Sequence, residues 1–215
     1  IRRLKDEADT YTIYYEKGKS TFVSKTPEKL FSIEGEQLTT NAIAGSIQRL
    51  EDKQENDIQK EFLLNDDKNL FEHRVVRESI ISDIVPFSEG LNYKKNPLLM
   101  ENKYIYHLFT PIQAMLKKDS DEFKILKQIH PTPAVGGLPK NLAKDYIKEH
   151  EYGTRGLYAA PLGIIHEDKD CEFAVGLRSM LISARSATLF AGCGIVRGSD
   201  PEAEFLETEV KFTPM

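Results

Sequence analysis

Residues 156–196 read GLYAAPLGIIHEDKDCEFAVGLRSMLISARSATLFAGCGIV, and this stretch decides the fold class. Three apolar runs alternate with the polar turns EDKD at 167–170 and ARS at 184–186. Runs of this length, bounded by turn residues, predict three consecutive strands. We expect the strands to form an antiparallel meander, with CEFAVGLRSMLIS as its central strand.

The sequence before the meander predicts two β-hairpins. Residues 11–24 alternate between polar and apolar positions around Gly18, and residues 31–40 turn at Gly35. Glycine at the reversal of an alternating pattern is typical of a hairpin turn. Gly45 follows the second hairpin, and it would let the backbone bend or approach another group closely.

Helices are expected between and after these strands. Residues 51–85 are rich in charge, have an apolar stripe at helical spacing and end before Pro86, which predicts a long helix or a helix pair. A second amphipathic helix is expected to begin at Pro139. Its buried side would consist of Leu142, Ala143, Tyr146 and Ile147. A last helix should begin at Pro201. Strands and helices grouped in blocks indicate an α+β fold.

Composition narrows the possible partners. With 215 residues and 40% apolar content, the chain can bury the core of one large domain. Its 29 basic and 34 acidic residues give a net charge of -5 without long runs of either sign. Such a balance argues against a nucleic-acid partner or an anionic membrane surface. An anionic ligand would have to be held by a few well-placed cations.

Two features predict a cytoplasmic protein. Cys171 and Cys193 are far apart and lack the spacing of metal ligands. There is no hydrophobic signal region and no apolar stretch of membrane length. The polar opening IRRLKDEAD, residues 1–9, has the character of the end of a surface helix. The oligomeric state does not follow from the sequence.

Three carboxylates suggest a cation site. Glu204 and Glu207 are three residues apart in the last predicted helix and Lys211 follows, so their side chains share one face. Glu72 lies beside the apolar stripe of the first helical region, where a carboxylate needs a partner. The three carboxylates would suit Mg2+, which keeps several waters and shares its shell with an anionic substrate. The alternative is an ordinary acidic helix face with one ion pair.

The last two predicted strands carry a candidate anion site. Arg178 shares a strand face with Ala174 and Gly176, whose small size leaves room for a carboxylate above the guanidinium. An arginine on a solvated sheet face is the alternative. Gly192 and Gly194 in AGCG are poor strand residues unless another group approaches their backbone. Without a third glycine, this pair does not indicate a dinucleotide site.

Residues 130–140, HPTPAVGGLPK, form a rigid loop rich in small residues before a predicted helix. Prolines fix its backbone angles ahead of a Gly-Gly pair. Such a loop can line a pocket with its main chain, or it can be a simple connection. Taken singly, His107, His130 and Tyr158 are more often structural than catalytic.

Taken together, the segments resemble the chorismate-binding family, which includes isochorismate, salicylate, anthranilate and aminodeoxychorismate synthases. The matching segments are FVSKTPEKL (22–30), TTNAIAGSIQR (39–49), DDKNLFEHRVV (66–76), YHLFTP (106–111), HPTPAVGGLPK (130–140), EYGTRGLYAAPLG (151–163), FAVGLRSMLI (173–182) and LFAGCGIVRGSDPEAEFLETEVK (189–211). The resemblance implies two large antiparallel sheets flanked by helices, with the substrate chorismate and Mg2+ in the cleft between them. It also implies that residues 1–215 are the C-terminal, greater part of the catalytic domain.

The resemblance implies roles for particular residues. The metal carboxylates would be Glu72, Glu204 and Glu207. The positions that bind chorismate would be His107 near the ring, Ala134 in the loop, Tyr158, Arg178, the backbone at Gly192, and Lys211.

Within the family, the loop with Ala134 and Val135 resembles the isochorismate synthases, which implies conversion of chorismate to isochorismate for menaquinone or siderophore biosynthesis. In those enzymes a lysine base activates water, and a glutamic acid protonates the hydroxyl that leaves. Glu28 in the TPE triplet matches the acid, and a plain turn residue after Pro27 is the alternative. The base lysine would lie on a strand before Ile1, so no lysine here takes that role.

The sequence departs from the family pattern at two places, and it is also compatible with two other functions. Ser24-Lys25 before the triplet and Cys193 in AGCG replace residues that are usual in the family. The chain could be another chorismate-using enzyme, namely a salicylate, anthranilate or aminodeoxychorismate synthase. It could also be an inactive chorismate-binding fragment or regulatory module. Product analysis separates the enzymes, and binding without turnover would identify the module.

Overall fold

The computed structural model describes residues 10–212, so the helix end predicted at residues 1–9 lies outside the described part. The strands are β1 (Tyr11–Lys17), β2 (Ser20–Thr26), β3 (Lys29–Glu34), β4 (Gln37–Gln48), β5 (Ser88–Tyr93), β6 (Leu98–Glu101), β7 (Ile105–Leu116), β8 (Pro161–Ile165), β9 (Cys171–Val175), β10 (Ser179–Ser183) and β11 (Ser186–Phe190). The helices are α1 (Lys53–Asn65), α2 (Asp67–Ile84), α3 (Glu122–Ile129), α4 (Pro133–Gly136), α5 (Lys140–His150) and α6 (Pro201–Phe212).

The strands form two antiparallel sheets. One sheet has four strands in the order β1-β2-β10-β11. The other has seven strands, in the order β5-β7-β4-β3-β9-β8 with β6 paired to β7. All strand pairs in the described region are antiparallel. The predicted α+β class and the pair of antiparallel sheets flanked by helices are confirmed.

Both predicted hairpins form, and glycine serves each turn. Gly18 has a φ of 62° and Gly35 a φ of 59°, in the left-handed region that glycine adopts without steric cost. Gly45, with a φ of 79°, lies where the register between β4 and β7 shifts. A Cβ at Gly45 would lie 3.1 Å from the carbonyl oxygen of Asn69, so α2 packs directly on the backbone of β4.

The predicted meander is divided between the two sheets. Residues 171–183 form β9 in the seven-stranded sheet and β10 in the four-stranded sheet, instead of one central strand. Gly176, Leu177 and Arg178 separate the two strands, and Arg178 has a φ of 45°. A left-handed residue ends an extended run, because it turns the chain out of the strand direction. The prediction of one continuous strand is therefore wrong, and Arg178 lies at a crossover between sheets.

A second crossover lies beside the first. β2 belongs to the four-stranded sheet and β3 to the seven-stranded sheet, with Pro27 and Glu28 between them. Three hydrogen bonds join the crossover segments: Ser24 Oγ to Leu177 O (2.6 Å), Lys25 N to Arg178 O (3.2 Å) and Val175 N to Glu28 O (3.0 Å). The seam between the sheets thus holds Glu28 and Arg178 on neighbouring segments.

The first helical region is a helix pair divided at Asp66. Its backbone N–H donates to Phe62 O at the end of α1, and its carboxylate accepts from the N–H of Asn69 in the first turn of α2. An aspartate in this position satisfies backbone groups that would otherwise lack partners.

The second amphipathic helix forms, but its packing differs from the prediction. α5 begins at Lys140, with Pro139 as its N-cap, and it has no buried residue. Leu142 is 69% exposed and Tyr146 is 63% exposed. The expected buried side is wrong because the 3.6-residue period shows that one face is apolar, but not that another element covers it.

The core lies against the seven-stranded sheet. The predicted stripe of Val76, Ile80 and Ile84 is buried, and it packs with apolar side chains of β3, β4 and β7. Ile125 and Ile129 of α3 close the same cluster. Burying one such side chain contributes roughly 1.5–3 kcal/mol, so this cluster fixes α2 on the sheet. Within residues 10–212, no helix is long and apolar enough to span a membrane.

Candidate active site

A cleft of about 430 Å³ opens where the two sheets meet. This volume is within the range of small-molecule sites, which is roughly 300–1,000 Å³. The walls come from β4, β7, α2, α4, α6 and the segments that follow α5 and β11. The site residues predicted from the sequence that line it are Glu28, Glu72, His107, Ala134, Tyr158, Arg178, Gly192, Glu207 and Lys211. Glu204 lies behind the wall and is 4% exposed.

Glu28 is a buried carboxyl group at the seam between the sheets. Burial raises its pKa to about 7, although a hydrogen bond from Thr132 and the charges of Lys211 and Arg178 act in the opposite direction. The Thr132 hydroxyl lies 3.5 Å from Glu28 Oε1. An acid with a pKa near 7 can hold or release a proton at neutral pH, which is what general acid catalysis requires. Its burial does not fit an ordinary exposed turn residue.

Arg178 points its guanidinium into the cleft against His107. Its NH2 group lies 2.9 Å from His107 Nε2, and His107 Nδ1 lies 2.8 Å from Ser46 Oγ. Burial and the nearby charges of Arg178 and Lys211 hold the pKa of His107 well below its usual value, so the ring is neutral. Since a guanidinium only donates, Nε2 accepts and Nδ1 carries the hydrogen. His107 therefore orients Arg178 without adding a charge.

The AGCG segment passes close to two side chains of the site. A Cβ at Gly192 would lie 2.7 Å from the hydroxyl of Tyr158, and a Cβ at Gly194 would lie 2.5 Å from Glu72 Oε1. A Cβ at either position would push the end of a neighbouring side chain aside, so the groups that approach these glycines closely are side chains of the protein itself. Lys211 Nζ donates to Gly192 O at 2.9 Å, which joins α6 to this segment.

Three carboxylates meet beside the cleft. Burial raises the pKa of Glu72 to about 7, and the charges of Glu207 and Glu204 raise it further against those of Lys68 and Lys211. Glu207 forms an ion pair with Lys211 at 2.6 Å, and Glu204 forms one with Lys68 at 2.7 Å. Burial raises the pKa of Glu204, but its hydrogen bond with Lys68 lowers it below the usual value.

These carboxylates fit Mg2+ in donor type and charge. Hard cations prefer carboxylate oxygens, and Mg2+ usually takes one or two carboxylates with waters and substrate oxygens. Burial is the main cause of the raised pKa of Glu72, and the charges of Glu207 and Glu204 add to it, so a divalent cation beside Glu72 would favour its charged form. Within residues 10–212, no three acidic, histidine or cysteine side chains are arranged so that together they could hold a metal ion.

Tyr158 and the 130–140 loop are joined by Arg155. Tyr158 stacks on Phe190, with 5.5 Å between the ring centroids, and the guanidinium of Arg155 lies 5.7 Å from its ring. Arg155 also donates to Val135 O at 2.6 Å and forms an ion pair with Glu151. One arginine thus connects two walls of the cleft.

The two departures from the family pattern have defined places. Ser24 and Lys25 are buried in β2, and the Ser24 hydroxyl donates a hydrogen bond to Leu177 O in the crossover between β9 and β10. Cys193 lines the cleft. Burial, followed by the charges of Glu204 and Glu207, raises the pKa of the Cys193 thiol to about 11.

Two groups at the site were missed by sequence reasoning. Lys68 lies four residues before Glu72 on α2, and this spacing places both side chains on one helix face. Arg155 is part of the segment EYGTRGLY that carried the family resemblance. Helical spacing could have identified Lys68, whereas no local pattern indicates that Arg155 reaches Val135.

Two antiparallel sheets enclosing a cleft with buried carboxyl groups, a buried arginine and a lysine define an α+β protein built to bind a small anion. The chain belongs to the chorismate binding enzyme family, whose family model matches residues 1–215.

The relatives of this chain include named isochorismate synthases. It is 41% identical over 213 residues to isochorismate synthase MenF of Bacillus subtilis (strain 168), which covers 99% of this chain and 45% of that protein. It is 40% identical over 208 residues to the salicylate biosynthesis isochorismate synthase of Pseudomonas aeruginosa, covering 97% of this chain and 44% of that protein.

A solved structure agrees with these relatives. The structure of MenF, the menaquinone-specific isochorismate synthase from Escherichia coli, matches with a TM-score of 0.87 and 36% identity, covering 98% of this chain and 48% of that chain. The chain thus spans about half the length of the relatives it matches.

Proposed function

We propose that the protein is an isochorismate synthase, a Mg2+-dependent isomerase that supplies menaquinone or siderophore biosynthesis. The observation that carries the proposal is Glu28, a buried acid with a pKa of about 7 in a cleft that also presents Arg178 and Lys211. The 41% and 40% identity to two isochorismate synthases supports it.

Substrate binding follows from the cations of the cleft. Chorismate carries two carboxylates, and Arg178 and Lys211 are placed to hold such groups. The neutral ring of His107 fixes the guanidinium, so little side-chain freedom is lost when the substrate binds. A Mg2+ held by Glu72, Glu204 and Glu207 would supply further positive charge for a substrate carboxylate.

The chemical step exchanges one hydroxyl for another. Water adds to one ring carbon and gives up a proton to a base, while the hydroxyl on a second ring carbon takes the proton of Glu28 and leaves as water. The ring double bonds shift between the two carbons, so the net change is an isomerisation. Burial keeps Glu28 protonated up to about pH 7, and positioned acids of this kind typically contribute about 10²–10⁴-fold in rate. None of residues 10–212 is assigned as the base that takes the proton from water.

Product analysis tests the proposal. The intact protein is incubated with chorismate and Mg2+, and the products are separated by chromatography. Isochorismate alone is the expected product. Salicylate, or anthranilate or aminodeoxychorismate when an ammonia source is added, would move the protein to another member of the family. Chorismate binding without any product would instead identify a binding module, and the absence of both binding and product would overturn the proposal.

The proposal also includes the cytoplasm as the site of action. Cys171 and Cys193 are both free. Free thiols are the usual state in a reducing compartment. Fractionation of cells that express the intact protein tests this assignment.

A further inference from the structure

Lys68 is a charged group at the site to which the proposed chemistry gives no role. It lies on α2, one turn before Glu72, and its Nζ is 2.7 Å from Glu204 Oε1. The side chain of Glu204 is 5% exposed, so its carboxylate is buried against this ammonium. The side chain of Lys68 is 28% exposed, so one side of it remains open to water.

The ammonium of Lys68 acts on all three carboxylates. Burial lowers the pKa of Lys68, but the hydrogen bond and charge of Glu204, together with the charges of Glu72 and Glu207, raise it above the usual value. Lys211 neutralises Glu207 in the same way. Two of the three carboxylates thus have a lysine partner, and Glu72, whose pKa is about 7, forms no ion pair in the described residues.

The two lysines differ in how firmly they are held. Lys211 donates to Gly192 O as well as binding Glu207, so it is fixed at two points. The hydrogen bond of Lys68 goes to Glu204. A lysine with a four-carbon flexible stem and an open side can move its charge into water without changing the helix that carries it. Lys68 is therefore the more easily displaced of the two.

We propose that Lys68 is a built-in counter-ion that occupies Glu204 in the substrate-free protein and has to release it when a divalent cation binds. The inference rests on the proposed function, because it takes Glu204 as one of the carboxylates that serve Mg2+. Two cations that share one buried carboxylate repel each other, so a bound ammonium weakens binding of the metal. Lys68 would then keep the substrate-free site from binding Mg2+ tightly.

Lys68→Met tests the proposal, since methionine keeps an apolar stem and removes the charge. MgCl2 is titrated into the chorismate-free protein in a calorimeter. We expect at least about a tenfold lower Kd for Mg2+ in the variant than in the wild type. Lys60→Met is the matched control, because Lys60 is similarly exposed at 27% and forms an ion pair with Glu101 at 2.9 Å, on another surface. That control should bind Mg2+ like the wild type.

Two more variants make the result independent of one substitution. Lys68→Gln removes the charge but keeps a hydrogen-bond donor for Glu204, so it should also bind Mg2+ more tightly, and it replaces the methionine variant if that one does not fold. Lys68→Arg keeps the charge and should bind Mg2+ as weakly as the wild type. An Mg2+ affinity that is unchanged or lower in both uncharged variants would overturn the proposal.

A separate measurement distinguishes failure of this inference from failure of the proposed function. Chorismate binding and isochorismate formation are measured on the wild type with and without Mg2+. If the wild type needs Mg2+ for turnover and the uncharged variants bind Mg2+ no tighter, the function stands and the counter-ion role falls. If no protein binds Mg2+ even with chorismate, the metal assignment falls together with the counter-ion role.

Discussion

Glu28 shows how the position of a single residue changes its acid strength. In the sequence it follows a proline and precedes a strand, as many turn residues do. In the structure the strand before Glu28 belongs to one sheet and the strand after it belongs to the other. Glu28 lies at the seam between the sheets and is 7% exposed. Burial disfavours the charged form, which is the reason for the pKa of about 7.

Glu28→Gln should separate catalysis from binding. The amide cannot donate the proton that the leaving hydroxyl requires, so kcat should fall by about 10²–10⁴-fold. Chorismate affinity should change little, because it depends on Arg178 and Lys211. Isochorismate formation and chorismate binding are measured on the same variant. Wild-type turnover would remove Glu28 from the mechanism.

The same substitution should stabilise the protein above neutral pH. The pKa of Glu28 is about 7 in the folded protein and 4.5 for an exposed glutamate, so between these pH values folded Glu28 keeps a proton that the unfolded chain has lost. The free energy of unfolding therefore rises as the pH falls from 7 to 4.5. Above pH 7 the folded protein carries the charge of buried Glu28, and the free energy of unfolding stays lower. Ionisation of buried Glu28 therefore lowers the free energy of unfolding by about 3 kcal/mol above pH 7.

Thermal melts against pH measure this effect. The gain in Tm of Glu28→Gln over the wild type should be largest above pH 7 and should fade toward pH 4.5. Glu36→Gln, at an exposed position in the second hairpin turn, is the control and should show no such pH dependence. An equal Tm at pH 8 would contradict the buried carboxylate.

Glu207→Gln should weaken the cation site and leave the fold intact. The substitution removes one of the carboxylate charges that would bind the metal. It also removes the charge of Glu207 that helps to raise the pKa of Glu72. In the presence of chorismate, the Kd for Mg2+ should rise at least about tenfold, which corresponds to about 1.4 kcal/mol. Glu209→Gln, on the exposed side of α6, should bind Mg2+ like the wild type. A loss of folding in place of Mg2+ affinity would favour a structural role for Glu207.

At the scale of elements, the sequence predicted the parts of the fold that depend on local patterns. The turn glycines correctly predicted both hairpins. The stripe of Val76, Ile80 and Ile84 correctly predicted the face of α2 that packs on the core. The prediction that β9 and β10 form one strand was wrong, because one apolar run contains both strands and they are divided by three residues that end with Arg178 in a left-handed conformation. Which sheet a strand joins depends on partners distant in the sequence, and a local pattern does not contain them.

Arg155 offers a test of how two loops are held at the cleft. Arg155→Met removes the ion pair with Glu151, the hydrogen bond to Val135 O and the contact with the ring of Tyr158. The loop wall and the tyrosine would then move independently, so chorismate affinity should fall by about tenfold while the protein stays folded. Arg185→Met, in the exposed turn between β10 and β11, is the control for loss of one surface charge. Equal affinity in the two variants would show that Arg155 does not position the walls.

At the scale of the whole molecule, a chain with a net charge of -5 brings three cations from distant segments to one region. Arg178 arrives from a sheet crossover, Lys211 from α6 and Lys68 from α2. Most of the residues that line the cleft lie in the sequence segments that carry the family resemblance. The balance of charge among them was not predictable, because the ion pairs of Glu204 and Glu207 depend on how α2 and α6 approach each other.

This charge balance predicts that Mg2+ and chorismate bind cooperatively. In the substrate-free protein, lysines already neutralise Glu204 and Glu207, so Mg2+ gains little by binding. A bound chorismate adds negative charge and offers oxygen ligands, so the Kd for Mg2+ should fall at least about tenfold. By linkage, Mg2+ should tighten chorismate binding by the same factor. Calorimetric titrations of MgCl2 with and without chorismate, and the reciprocal pair, measure both factors. Equal Mg2+ affinity in the two states would show that the substrate does not complete the metal shell, and unequal factors would show that the titrations report another process.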